Sequence, residues 1–370
     1  MVGHFIVYAT PDFLDKARRK KTYGNLGNKR VSTLWSIARD IMMIQPKARI
    51  FFYETEKKRL HGVYQATSAP FFCYDNLFAE SSSDAGTDND TDTDEKFPFR
   101  FKFEELRKFD EPVPADELVY LVDRKLLTSI ITFDKDPTSP FRSVVKITRQ
   151  EAVEIVRALH KYNLDAEYSA CAHSPDVYRP TYDVEVADII PQLADPQGRA
   201  NLPSNDRHLK LDKLPDPEQQ NSTVREHEYA LQAYLSHKLA VGDPSVWPIF
   251  GNYTDFLVEV PLSRAQRKAV DLLCNYGSCT PYYHLLVEIK NRIVREQDFL
   301  QLLEYANIFS ETRGVRRSDI GGMLIGASFA EEVISLARHY NRIRTGSRLR
   351  LVRCDFGQHQ HGKPKFVHVL

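Results

Sequence analysis

The chain has 370 residues and a mass of 42.6 kDa, which at roughly 100–200 residues per domain predicts two or three domains. Hydrophobic residues at 42% and charged residues at 27% exclude a disordered or fibrous chain. Fifty Lys and Arg cancel fifty Asp and Glu, which excludes a global field for nucleic acid or membrane and leaves any such partner to a local patch. No run approaches roughly 18 apolar residues, and the start MVGHFIVYATPDF has no basic n-region, so the expectation is a soluble, cytoplasmic protein with no membrane partner. Five cysteines, odd in number and without CxxC spacing, predict neither a disulfide framework nor a zinc ribbon.

In chain order, His4 to Ala9 reads as a strand, Val31 to Met43 as an amphipathic helix, and Ala48 to Tyr53 and Arg59 to Ser68 as further strands. The segment is basic, with Lys16, Arg18, Arg19, Lys20 and Lys21 in one short run. Ser81 to Glu95 (SSSDAGTDNDTDTDE) is a polar, acidic run that cannot bury enough surface to order itself. Phe97, Phe99, Phe101 and Phe103 then alternate at period two, and Thr148 to Tyr162 reads as a helix, closing an α+β domain over 1–163. Residues 164–222 are rich in Pro, Asp, Asn and Gln and read as a linker.

Beyond it, helices and strands alternate over 223–370, which predicts an α/β sandwich on a mixed sheet. The helices are REHEYALQAYLSHKL, SRAQRKAVDLLCNYG, EQDFLQLLEYANIFS and FAEEVISLARHYNRI. The strands are NYTDFLVEV, YYHLLVEIK, GGMLIGA and RLRLVRC. In YYHLLVEIK the alternation puts His284, Leu286, Glu288 and Lys290 on one side of the strand. A carboxylate and an ammonium together at the end of a buried strand suit a hard divalent cation and an attacking water. Asp255 offers a second carboxylate from NYTDFLVEV. Gln301 and Tyr305 share a helix face, and Glu228 lies on a helix stripe with Leu231 and Leu235 that points to the sheet. Two lesser features are the His359 and His361 pair and the series Arg338, Arg342, Arg344, Arg348, Arg350 and Arg353. A solvated tail accounts for the histidine pair better than metal binding does, and an exposed salt-bridged face accounts for the arginines about as well as phosphate binding does.

A helix Glu, a strand Asp, a strand ExK and a helix QxxxY, in that order, resemble the PD-(D/E)XK nucleases, and within them the RecB-like branch that contains the archaeal NucS/EndoMS endonucleases. The resemblance implies that Asp255 and Glu288 bind Mg²⁺, or Mn²⁺ in its place. It implies that Lys290 positions the nucleophilic water, that Glu228 completes the metal site, and that Gln301 and Tyr305 support the scissile phosphate. It also makes the stretch Ser263–Gly277 a helical insertion between the two metal-bearing strands. The first domain, through FIVYAT, LWSIARDIMMI, RIFFYETEKKRLHGVYQATS and FPFRFKFEELRKF, resembles the PUA-like group of EVE, YTH and DCD domains. That implies a small β-barrel with flanking helices that accepts a flipped base. Trp35, Tyr53, Phe71 and Phe72 are its candidate pocket aromatics and Lys20 and Lys21 its phosphate contacts.

The expected fold class is therefore α/β and α+β in two domains, a PUA-like barrel followed by a restriction-endonuclease-like mixed sheet. The expected function is a Mg²⁺-dependent DNA endonuclease of restriction or repair type, acting as a homodimer on double-stranded DNA with a modified base. Two alternatives stand beside it. One is a mismatch- or structure-specific repair nuclease whose first domain serves assembly, and the other is a non-catalytic modified-RNA-binding protein.

Overall fold

The computed structural model describes residues 2–25, 31–73, 77, 98–130, 142–163, 189–190, 224–263, 268–277, 282–343, 348–355 and 364–370. The acidic run 81–95, Phe97, nearly all of 164–222, Arg344, His359 and His361 lie outside the described residues. Among the described residues the strands form two sheets, with helices between and around them.

The first sheet contains β1 (His4–Ala9), β2 (Thr22–Asn25), β3 (Arg49–Glu54), β4 (Arg59–Ala66), β5 (Phe71–Phe72), β6 (Phe99–Glu105), β7 (Val113–Pro114) and β8 (Val144–Ile147). It curls in the order β2-β6-β4-β3-β1-β8, with β5 on β6 and β7 on β4. All six residues of β1 and of β3 are buried, because this sheet is covered on both faces. One face carries α1 (Pro11–Lys20) and α2 (Val31–Met42), the other α3 (Ala115–Asp123) and α4 (Arg149–Tyr162). Local chemistry sets the helix ends. Thr10 caps α1 ahead of Pro11, and Thr148 with Glu151 forms a reciprocal capping box on α4.

The second sheet runs β14-β13-β12-β11-β10-β9. Its strands are β9 (Asp255–Ser263), β10 (Lys268–Asn275), β11 (His284–Val294), β12 (Ile320–Phe329), β13 (Leu349–Asp355) and β14 (Lys365–His368). β9, β10 and β11 form an antiparallel meander, and β11, β12 and β13 are parallel. α5 (Val224–Val241) lies on one face, and α6 (Glu296–Arg313) and α7 (Glu331–Ile343) lie on the other. Gly322 admits α6 closely, since a Cβ there would meet Leu302 at 3.0 Å.

Within the stretch 263–277, expected as a helix, Lys268–Asn275 is instead the central strand of the meander. Ala269, Leu272, Leu273 and Tyr276 do fall at helical spacing, but the run is paired on both edges, and Val270, Leu272, Leu273 and Cys274 are all buried. Pairing and burial override a local pattern that fits either element.

The two sheets share a core. A single apolar cluster contains Phe5, Phe52 and Trp35 beside the first sheet and Leu235, Phe256 and Val352 in or beside the second, joined where α2 packs on α5. Polar contacts cross the same seam. Arg142 Nη1 donates to the Val258 carbonyl at 2.7 Å, Lys146 Nζ donates to the Phe256 carbonyl at 2.6 Å, and Arg313 reaches back to the Thr128 carbonyl.

Candidate functional site: an acidic cluster on the central meander

The β10–β11 register aligns Leu272 with Val287, which sets Asp271 across from Glu288. The next neighbour along the sheet is Glu259. It lies across from Asp271, between the Val258–Leu272 and Val260–Val270 pairs, with φ at +51°. That left-handed backbone is costly for a residue with a Cβ and persists only where surroundings hold it. Val258 and Leu272 pack into the core shared with α2 and α5, whereas Val260 and Val270 pack beneath α6. The ladder thus changes face at the Glu259–Asp271 pair.

Glu288 is 2% exposed, and its Oε1 is buried with no hydrogen-bond partner. Its Oε2 accepts from Lys290 Nζ at 3.1 Å. Burial pushes the Glu288 carboxyl up to about 7, against the pull of Lys290. Desolvation, then the Glu288 and Glu259 charges, hold the Asp271 carboxyl well above the usual carboxylate range even though its Oδ2 accepts the Ile289 N–H at 2.7 Å. Burial alone would lower Lys290, but Glu288, Asp271 and Glu228 outweigh it and the ammonium is strengthened. Glu228, in the first turns of α5, accepts the Asn291 N–H at 3.3 Å. From α6, Gln301 Nε2 donates to the Tyr305 hydroxyl at 2.7 Å, and Tyr305 feels the Glu288 charge.

Five of the six expected catalytic positions, Glu228, Glu288, Lys290, Gln301 and Tyr305, therefore gather around the middle of β11, which runs past the expected strand end to Val294. Asp255 does not join them. It pairs with Asn275, which pairs with His284, four positions from Glu288 and so roughly 13 Å along the strand. Its carboxylate is occupied by the buried Lys146 ammonium and by the Phe256 N–H. The carboxylate that faces Glu288 is Asp271, which a helical reading of 263–277 conceals.

In the first sheet the expected nucleic-acid residues do not converge on one pocket. Trp35 lies in the core shared with α5, 6% exposed, its indole N–H without a partner. Tyr53 points to the opposite face, edge-on to Tyr8 at 5.3 Å among residues packed on α3 and α4. Phe71 and Phe72 are half-buried on β5, Phe72 edge-on to Phe99 at 5.3 Å. Lys20 and Lys21 are exposed where α1 turns into β2, and β2 and β5 both pair with β6. Of the C-terminal arginines, Arg350 donates to the Ile249 carbonyl at 3.0 Å and Arg353 pairs with Asp355 at 3.0 Å.

No helix among the described residues is long and apolar enough to cross a membrane. Among the described residues no three acidic, histidine or cysteine side chains close into a ready metal cage. Mg²⁺ does not need one, since it is commonly held by one or two carboxylates, waters and substrate phosphate.

No family model and no curated protein matches the chain. Solved structures that do match include a hypothetical protein from Leishmania major, 14% identical, covering 43% of this chain and 96% of that one with a TM-score of 0.29. Human THYN1 protein in complex with DNA containing 5-methylcytosine is 14% identical, covering 43% of this chain and 98% of that one at 0.29. A repair endonuclease from Pyrococcus abyssi is 14% identical, covering 29% of this chain and 43% of that one at 0.21. At TM-scores this low the likenesses carry no weight, and the acidic cluster stands on its own geometry.

Proposed function

We propose that the protein is a Mg²⁺-dependent DNA endonuclease, with its active site at Asp271, Glu288 and Lys290. The observation that carries this reading is the pair of facing carboxylates beside a lysine, with one Glu288 oxygen buried and unpartnered. A buried, unpaired carboxylate oxygen is costly unless something binds it, and a hard cation suits an oxygen donor set. Asp271 and Glu288 would hold the ion, with Glu228 beside them, and Mn²⁺ would serve in its place. When bound, the ion supplies a Lewis acid for the scissile phosphate and a more acidic water.

The side chains do the rest. Lys290, held protonated by three carboxylates, orients the attacking water and faces phosphate charge as a donor. Gln301 and Tyr305, locked to one another, present an amide and a hydroxyl towards the phosphate. The first sheet reads the DNA, a duplex carrying a modified base. Supporting that part are the half-buried Phe71 and Phe72 and the exposed Lys20 and Lys21 along the β2–β6–β5 edge, stacking faces beside phosphate-binding charge. A homodimer would place two such sites on one duplex.

The test is cleavage of plasmids that differ only in cytosine or adenine modification, with and without Mg²⁺, by the wild type and Asp271→Asn. Metal-dependent cleavage lost in the variant supports the assignment. Equal cleavage by both proteins removes it from this site.

A further inference from the structure

The acidic cluster is not built by the second sheet and its helices alone. Arg39, on α2 beside the first sheet, is 1% exposed and enters it. Its Nη1 donates to Glu259 Oε1 at 2.9 Å and to Gln232 Oε1 on α5 at 2.6 Å. Its Nε donates to Asp40 at 2.8 Å and its Nη2 to Ser36 at 3.1 Å. Asp40 is itself gripped by Arg142 at 2.8 and 3.0 Å. Gln232 passes the constraint on, since its Nε2 donates to Glu259 Oε1 at 3.1 Å and lies 3.4 Å from Asp271 Oδ1. One planar guanidinium therefore holds a left-handed glutamate and, through one amide, the carboxylate facing Glu288.

We infer that Arg39 is a positioning residue for the active site, fixing Glu259 and Asp271 from the first sheet's side, so that the metal-binding cluster is complete only when the two sheets are docked. This rests on the metal-dependent reading above. Removing a group that orients metal-binding side chains generally costs about 10- to 100-fold in metal affinity or activity. A lysine cannot replace this arginine. A single ammonium lacks the fork that meets Asp40, Ser36, Gln232 and Glu259 at once.

The experiment is a double-mutant cycle on the full chain with Mn²⁺ alone as probe, its Kd measured by electron paramagnetic resonance for wild type, Arg39→Lys, Glu259→Gln and the double variant. A reversibly unfolded fraction weakens the apparent dissociation constant only by the reciprocal of the folded fraction, so in a variant at least about nine-tenths folded by its melt a loss of about 10-fold reports positioning and not stability. Arg39→Lys and Glu259→Gln should each weaken Mn²⁺ by about 10-fold or more, and the double variant by no more than about twofold beyond the weaker single. Lys146→Met, cut from the same seam but without contact to Glu259, should lower Tm and leave the Kd within about twofold. Wild-type affinity in Arg39→Lys, or losses that multiply in the double variant, overturn the inference. Should Arg39→Lys fail to fold, Gln232→Met is expected to show the same Mn²⁺ loss, and wild-type affinity there overturns it equally. A wild type that binds no Mn²⁺ overturns the metal-dependent reading itself, and with it the role of Arg39.

Discussion

Asp271 and Glu288 face each other across the β10–β11 ladder, and the Ile289 amide beside Glu288 is bonded to the Asp271 carboxylate. Two carboxylates on adjacent strands repel one another unless a cation or a proton lies between them. Lys290 satisfies only one oxygen of Glu288.

Asp271→Asn and Glu288→Gln are accordingly each expected to reduce Mg²⁺-dependent cleavage by roughly 1,000-fold, the order of several kcal/mol of lost charge stabilisation. DNA affinity should stay within a few-fold, because phosphate contacts dominate it. Asp255→Asn should behave in the opposite way. It leaves the Lys146 ammonium buried without its ionic partner, so stability should fall by about 3 kcal/mol while kcat is retained. Single-turnover cleavage and urea melts on the same three variants check both.

The Glu288 carboxyl gives a pH signature. Its folded pKa, about 7, is above the ordinary value of 4.5, so the folded chain holds a proton that the unfolded chain has released. This contribution to stability is complete below about pH 4.5 and is lost as pH rises through 7. Glu54 and Asp243, lowered to about 2, titrate below this window and do not mask it. His4, lowered to about 3 by burial, and His61 and His284, also lowered, gain stability over the same interval, so the Glu288 contribution is read as a difference. Metal-free wild type should lose a few kcal/mol relative to Glu288→Gln between about pH 5 and pH 8. Thermal melts in chelator at both pH values test it. Mg²⁺ affinity should rise over the same interval, since binding displaces the proton.

Gln301 and Tyr305 form a pair whose loss should appear in kcat. Tyr305→Phe leaves the Gln301 amide without the 2.7 Å partner that orients it. A loss of about 10-fold in kcat with little change in KM is expected, as for a group that acts on the transition state. A rise in KM alone would make the pair a ground-state contact.

Lys20→Gln with Lys21→Gln should weaken modified and unmodified duplexes alike and lower the slope of log K against log salt by about 2. Phe72→Ala should instead reduce the difference between the two duplexes. Salt titrations with labelled DNA of the full chain distinguish the two effects.

Much of this architecture was legible in the sequence where periodicity and burial agree. His4 to Ala9 is a strand at the expected bounds, and Thr148 begins a helix because its own hydroxyl and Glu151 cap it. The ExK strand and the Gln301–Tyr305 face are where alternation and helical spacing put them. Asp271 was hidden because Ala269, Leu272, Leu273 and Tyr276 satisfy the helical period as well as a strand does, and only pairing on both edges decides between them. Arg39 was beyond reach for another reason. Its partners Gln232 and Glu259 are 193 and 220 residues away, and no local pattern records a contact at that separation. Trp35 and Tyr53 looked equivalent as aromatics, yet the sheet between them sends one to each face.

The apolar cluster that runs from Phe5 through Trp35 to Leu235 and Val352 has a consequence for how the molecule comes apart. Each half presents to the other a surface it cannot show to water, so neither sheet can melt and leave its neighbour standing. Heating should give one transition rather than two. A protease that cuts between residues 163 and 224 should yield two fragments that still elute together, parted only by denaturant.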